Sequence, residues 1–384
     1  NKMNAHRPHP MMPVSNHDEI SEQLAIVDMK AFLGLKIEPC QRLLLEKKVK
    51  PNFEAKKGEP ARNHQELRKE MEKETSYQAW LTMNSVAQDM MWDAVGTCVD
   101  RQIEDLNKKA KIKNPKGSLT TNPGFEVPNY ISARDIHRMP GNYHGTYGSE
   151  DVRQGALFDR GAVVYQMGRN GGYMNDIRGH TIVSHCFSRW SDIKPLKILD
   201  MGCTVGHSTL AIASYFPQAQ TFAIDVGEGM LRYAHARAER LNIPVHFSQQ
   251  NAEETNFPDN EFDLITSSAV LHETSGKALP KIFDECMRIL KPGGVMSHLE
   301  VPSRMDDMDT WGRIRGDYEI QYNYEPFWKG ALTADFHSLA EKSGFKEVTV
   351  GFQDATPKAV RGNKNFGGPS KGVHRSWLMI SGVK

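Results

Sequence analysis

Apolar residues recur along this chain with two different periods, and the change from one to the other divides it. In the first hundred residues the spacing is helical. Ile20, Leu24, Val27 and Ala31 follow Asp18, a residue suited to capping, and Gly34 is the expected stop. A short helix is predicted to open at Pro39, a residue tolerated in a first turn, and to end at Pro51. A longer helix is predicted over 76–109, where Trp80, Met83, Ala87, Met90, Met91, Ala94 and Cys98 fall on one stripe. That stripe suits a core, a substrate wall or a homodimer seam. Prolines and glycines then break the pattern over 112–148, which reads as a linker. A helix over 176–190 follows. From Ile198 onward, short apolar runs alternate with helical stretches: 198–200, 222–225, 245–247, 262–265 and 295–301, then 347–352 and 376–383. Alternation of this kind predicts an α/β sheet.

The first of those runs carries the clearest chemistry. Asp200-Met201-Gly202-Cys203-Thr204-Val205-Gly206 is a strand end, a glycine turn and the approach to a helix expected to start at His207 or Ser208. Glycine lets backbone pass close to a ligand, and a helix start offers free N–H groups. A dinucleotide fingerprint needs G-x-G-x-x-G, and a phosphate loop needs Gly-Lys-Ser/Thr; neither is present. Asp225 closes the second strand, where a carboxylate can accept hydrogen bonds from ribose hydroxyls.

Taken in order, the Asp200–Gly206 turn, Asp225-Val226-Gly227-Glu228-Gly229-Met230, Gln250-Asn251-Ala252, the Phe257-Pro258-Asp259-Asn260-Glu261-Phe262-Asp263 run and Lys291-Pro292-Gly293-Gly294 resemble the class I S-adenosylmethionine-dependent methyltransferases. Thr204 departs from the pattern, since relatives often carry a second glycine there, and Asn251 stands where Asp is usual. The resemblance implies a Rossmann-like, seven-stranded α/β sheet over 150–384 and a cofactor site at Asp200, Gly202, Cys203, Thr204, Gly206, Asp225, Val226, Met230, Asn251, Ala252 and Ser267. Val226 and Met230 would pack on the adenine, and Asn251 would meet its amino edge. The acceptor would be a small molecule methylated on O, N or S, leaving S-adenosylhomocysteine. In the same family the segment before the first strand folds over the cofactor, which makes Tyr165, Arg169 and Tyr173 candidate lid and substrate residues. His272, at the end of the fourth strand, is the candidate general base; its alternative is a scaffolding hydrogen bond. An Asn/Asp-Pro-Pro-aromatic motif, typical of enzymes that methylate nucleic-acid amino groups, is missing there.

The insertion over 302–332 is the most aromatic window in the chain. Trp311, Arg315 and Tyr322 are its candidate substrate residues, in a cap of rings and arginines.

Composition narrows these readings. With 25% charged residues and a net charge of +1, no global field recruits nucleic acid or an anionic membrane. No apolar run is long enough to span a bilayer. Five scattered cysteines without Cys-x-x-Cys spacing read as reduced thiols of a cytoplasmic protein, and no metal cluster is visible. The expected organisation is a flexible tail over 1–17, a mostly helical N-terminal domain and linker over 18–149, and the methyltransferase domain over 150–384. Three alternatives stand beside this: a cofactor-binding enzyme of non-methylating chemistry, an RNA or protein methyltransferase that docks through its N-terminal domain, and a catalytically silent binding module, against which the intact Asp200, Gly202, Gly206 and Asp225 set weighs.

Overall fold

The computed structural model describes residues 9–166 and 168–384. Its centre is a nine-stranded sheet. In chain order the strands are β1 (Ser118–Thr120), β2 (Lys197–Met201), β3 (Gln220–Asp225), β4 (His246–Gln249), β5 (Phe262–Ser268), β6 (Leu290–Glu300), β7 (Lys346–Asp354), β8 (Phe366–Gly368) and β9 (Ser376–Val383). Across the sheet they lie in the order β1-β4-β3-β2-β5-β6-β9-β7-β8. The inner seven give the Rossmann-like arrangement expected from the sequence. β2, β3, β4, β5 and β6 pair in parallel, and β9 runs antiparallel between β6 and β7. Two short edge strands are additions. β1 comes from the stretch expected to be a linker and pairs with β4, while β8 comes from the long loop between β7 and β9.

Chain direction across the sheet reverses between β2 and β5, so the loops after these strands splay apart and leave a crevice at their carboxyl ends. Helices Ile177–Arg189, His207–Tyr215, Glu228–Arg240 and Ala278–Ile289 connect and flank the strands.

The N-terminal helices share their cores with the rest of the chain. One cluster joins Met11, Ile26, Met91 and Val95 to Leu157, Val205, Met230 and Tyr233. A second joins Leu45, Met71, Tyr77 and Trp80 to Trp311, Ile314 and Tyr318 of the insertion.

Several expected boundaries move. Residues 1–8, the first part of the expected tail, lie outside the described residues. Residues 9–16 are not a loose tail: Met11 and Met12 are buried, and His9 reaches Asp159 at 3.0 Å. Gly34, Pro39 and Pro51 do not stop helices. Helical backbone runs from His17 to Lys57, with π-turns at Leu33–Ile37 and Leu45–Val49 immediately before each proline-bearing segment. The wider turn accommodates the ring and the missing N–H that would break an α-helix. Asn16, not Asp18, caps the first helix, in a reciprocal capping box with Glu19. The long helix ends at Asp100 and restarts at Ile103, and Met83 and Met90 of its predicted stripe are exposed.

Candidate active site

A cavity of about 600 Å³ occupies the crevice beyond β2, β3 and β5. Asp200, Gly202, Cys203, Thr204, Asp225, Val226, Asn251 and Ala252 line it, as the sequence led us to expect. Both aspartates end strands and are desolvated, which raises each carboxyl to about 6. Asp200 accepts hydrogen bonds from Thr209 Oγ1 at 2.5 Å and Thr266 Oγ1 at 2.9 Å. Asp225 accepts from the Thr204 N–H at 2.9 Å and the Gly227 N–H at 2.8 Å, so it ties the glycine turn to the turn after β3.

Backbone conformation explains the residue choices in that turn. Gly202 has φ +67°, and a Cβ there would lie 2.6 Å from Val270 Cγ2. Thr204, the departure from the family pattern, also has positive φ, +46°. Its N–H bond to Asp225 holds it in a region costly for a branched side chain.

Three expected cofactor residues do not line the cavity. Gly206 caps helix His207–Tyr215 in a left-handed conformation, and its carbonyl accepts from Arg237. Met230 is fully buried in the cluster shared with the N-terminal helices. Ser267 points to the other face of the sheet, where its hydroxyl meets His298 Nδ1 at 2.7 Å. Its neighbour Ser268 faces the cavity instead, because strand side chains alternate. Asn251 lines the cavity, with Oδ1 accepting from the Glu253 N–H at 2.9 Å.

Of the candidate substrate residues, Tyr165, Arg169 and Arg315 line the cavity, whereas Tyr173, Trp311 and Tyr322 do not. Tyr173 lies near Arg160. Trp311 is buried between the insertion and the N-terminal helices, packed on Trp80 and donating its indole N–H to Glu38 at 3.1 Å. Tyr322 stacks on Tyr318. Their rings are consumed in joining two parts of the chain, which a periodicity argument cannot distinguish from lining a pocket.

His272 lines the cavity in the turn after β5, but it is not a free base. Nδ1 meets Glu300 at 2.9 Å and Nε2 faces Glu273 at 3.4 Å. Burial opposes charging the ring, yet the two carboxylates win and hold its pKa well above the ordinary histidine value. With a carboxylate facing each ring nitrogen, His272 is held in place and orients its neighbours.

The network continues through residues the sequence had not singled out. Glu273 also meets His137 Nε2 at 3.3 Å, and His137 Nδ1 meets Glu325 at 2.8 Å. His137 sits at φ +57°, and its carbonyl accepts from Gln88 and Trp92. Against the pull of burial, its carboxylate neighbours raise His137 to about 10. Arg178 lines the same cavity, and its Nε has no hydrogen-bond partner among the described residues. Glu300 had a sequence signal, an acid at the end of an expected strand. His137 had none, standing in an irregular stretch far from the motifs.

Comparison with known proteins agrees with this geometry. A family model described as a methyltransferase domain matches residues 198–294. An uncharacterised methyltransferase of Synechocystis sp. is 31% identical over 155 residues, 40% of this chain and 68% of the relative. The chain belongs to the class I S-adenosylmethionine-dependent methyltransferases. Other relatives of this methyltransferase include a probable methyltransferase, ltbC, of Aspergillus luteorubrus, 28% identical over 47% of this chain and 72% of its own. The ubiquinone/menaquinone biosynthesis C-methyltransferase UbiE of Brucella canis is 25% identical over 65% of this chain and 97% of its own. S-adenosylmethionine is therefore the methyl donor. No helix among the described residues is long and apolar enough to cross a membrane.

Proposed function

We propose that this methyltransferase transfers the methyl group to a small-molecule acceptor bound in the same cavity as the donor. The observation that carries the reading is the shared space: the Asp200–Thr204 turn and Asp225 on one side, and the His272–Glu273–His137–Glu325 network on another, line one cavity. Asp225 would hold the ribose hydroxyls, Val226 and Ala252 would flank the adenine with Asn251 at its edge, and Asp200 with Arg178 would hold the amino-acid end. The orphaned Nε of Arg178 supports the last assignment, because a buried guanidinium nitrogen without an acceptor is costly. The donor brings a methyl group on a sulfonium, already a good leaving group. The chain's own contribution is alignment and exclusion of water. Sulfur, nitrogen and oxygen remain the acceptor atoms suggested by the sequence, and the C-methyltransferase of Brucella canis adds carbon.

Calorimetric titration with S-adenosylmethionine and S-adenosylhomocysteine tests this. We expect both to bind, and Asp225→Asn to weaken each at least tenfold. Unchanged affinity in that variant would refute the cofactor placement.

A further inference from the structure

In the acceptor part of the cavity the donors of the two histidines, Arg315 and Asn323 are already engaged, while acceptors are left over. Both nitrogens of His137 and of His272 face carboxylates. Arg315 is paired with Glu319 at 2.5 Å and Glu38 at 3.4 Å. The Asn323 amide donates to Glu319 at 2.8 Å and to Glu325 at 3.3 Å.

Glu273 and Glu325 each have a second oxygen, Oε2, shielded from solvent and without a donor among the described residues. Their side chains are only 9% and 4% exposed, and both residues line the cavity from opposite edges of the His137 ring. A carboxylate oxygen stripped of water and given no donor is expensive to keep. The terminal torsion of glutamate is broad, so either carboxylate can turn that oxygen toward a donor arriving in the cavity.

Cations already rest on ring faces in this part of the molecule: Arg315 lies 4.6 Å from the Tyr318 ring centroid and Lys30 lies 4.9 Å from that of Tyr165. An anionic head group would meet Glu38, Glu273, Glu319 and Glu325, with the histidines and Arg315 already committed. Lys30, directed at Gln88, and the exposed Arg169 would be its remaining cationic partners, against those four carboxylates.

We infer that the methyl acceptor is an amine, held as its ammonium ion between Glu273 and Glu325 against the aromatic wall. This rests on the reading of the cavity as a shared donor and acceptor site. The test is a calorimetric titration of the full chain saturated with S-adenosylhomocysteine, using 2-phenylethylamine and its carboxylate counterpart 3-phenylpropionate. The amine should bind at least tenfold more tightly. Glu325→Gln and Glu273→Gln should each erase that preference while leaving S-adenosylhomocysteine affinity within twofold. Equal or tighter binding of the carboxylate would overturn the inference, as would absence of heat from both probes. Failure of S-adenosylhomocysteine itself to bind would instead strike the functional reading beneath it. The wild-type comparison stands even if a variant does not fold.

Discussion

Asp225 shows how much one side chain is asked to do. Its carboxylate organises two turns through backbone N–H groups and is also the proposed ribose acceptor. With Asp200 and Asp225 both raised to about 6, acidification protonates the groups that must accept hydrogen bonds. Affinity for S-adenosylhomocysteine should therefore hold from pH 8 to 7 and fall steeply below about pH 6, measured by calorimetry in buffers of matched ionic strength. A flat profile to pH 5 would contradict that role. His137 works in the opposite window. Its folded value of about 10 lies above the unfolded value of about 6.5, so its contribution to stability is complete below about 6.5 and is lost as pH rises toward 10. The melting temperature of the wild type should fall more between pH 7 and 9.5 than that of His137→Gln. Asp200, Gly202 and Asp225 were legible in the sequence because a ligand-facing turn demands those residue types. Glu273, His137 and Glu325 were not, because their significance lies in meeting one another across 188 positions of chain (325 − 137).

Elements were legible wherever a period or a strand-ending acid marked them, and misread wherever punctuation was taken literally. Pro39 and Pro51 looked like boundaries, yet a π-turn ahead of each lets helical backbone continue. No residue pattern announces that turn. The supposed linker was misjudged for a similar reason: three of its residues form β1, and another stretch packs on the turn after β3. The tightest point is Gly227, where a Cβ would sit 2.0 Å from the Tyr143 carbonyl oxygen. Gly227→Ala must push the segment around residue 143 away from the turn that carries Asp225. We expect a loss of about 1–3 kcal/mol in denaturant unfolding, with weaker S-adenosylhomocysteine binding; unchanged behaviour in both would show that the two segments are not in register.

At the scale of the whole molecule, Asp159 fastens the beginning of the chain to the glycine turn. This fully buried carboxylate meets His9 at 3.0 Å, His207 at 2.7 Å and the Tyr233 hydroxyl at 2.6 Å, and these partners hold its pKa well below the usual range despite burial. Asp159→Asn should cost about 1.5–3 kcal/mol, as weakening hydrogen bonds to a buried carboxylate does. It should also expose residues 9–20 to limited proteolysis before the core. Equal cleavage rates in both proteins would rule the fastening out. The sequence left this segment as a tail because its prolines and histidines carry no period. The distribution of the proposed acceptor wall has a further consequence. The stretch that matches the family model supplies the donor turns together with His272 and Glu273, whereas His137, Tyr165, Arg315, Glu325 and Trp328 all come from outside it. Two genes could inherit the same donor half and diverge freely in what they methylate. Kinship measured over that half thus passes on a reaction type but no substrate, and the lineage of this enzyme's specificity has to be traced through its helices and its insertion.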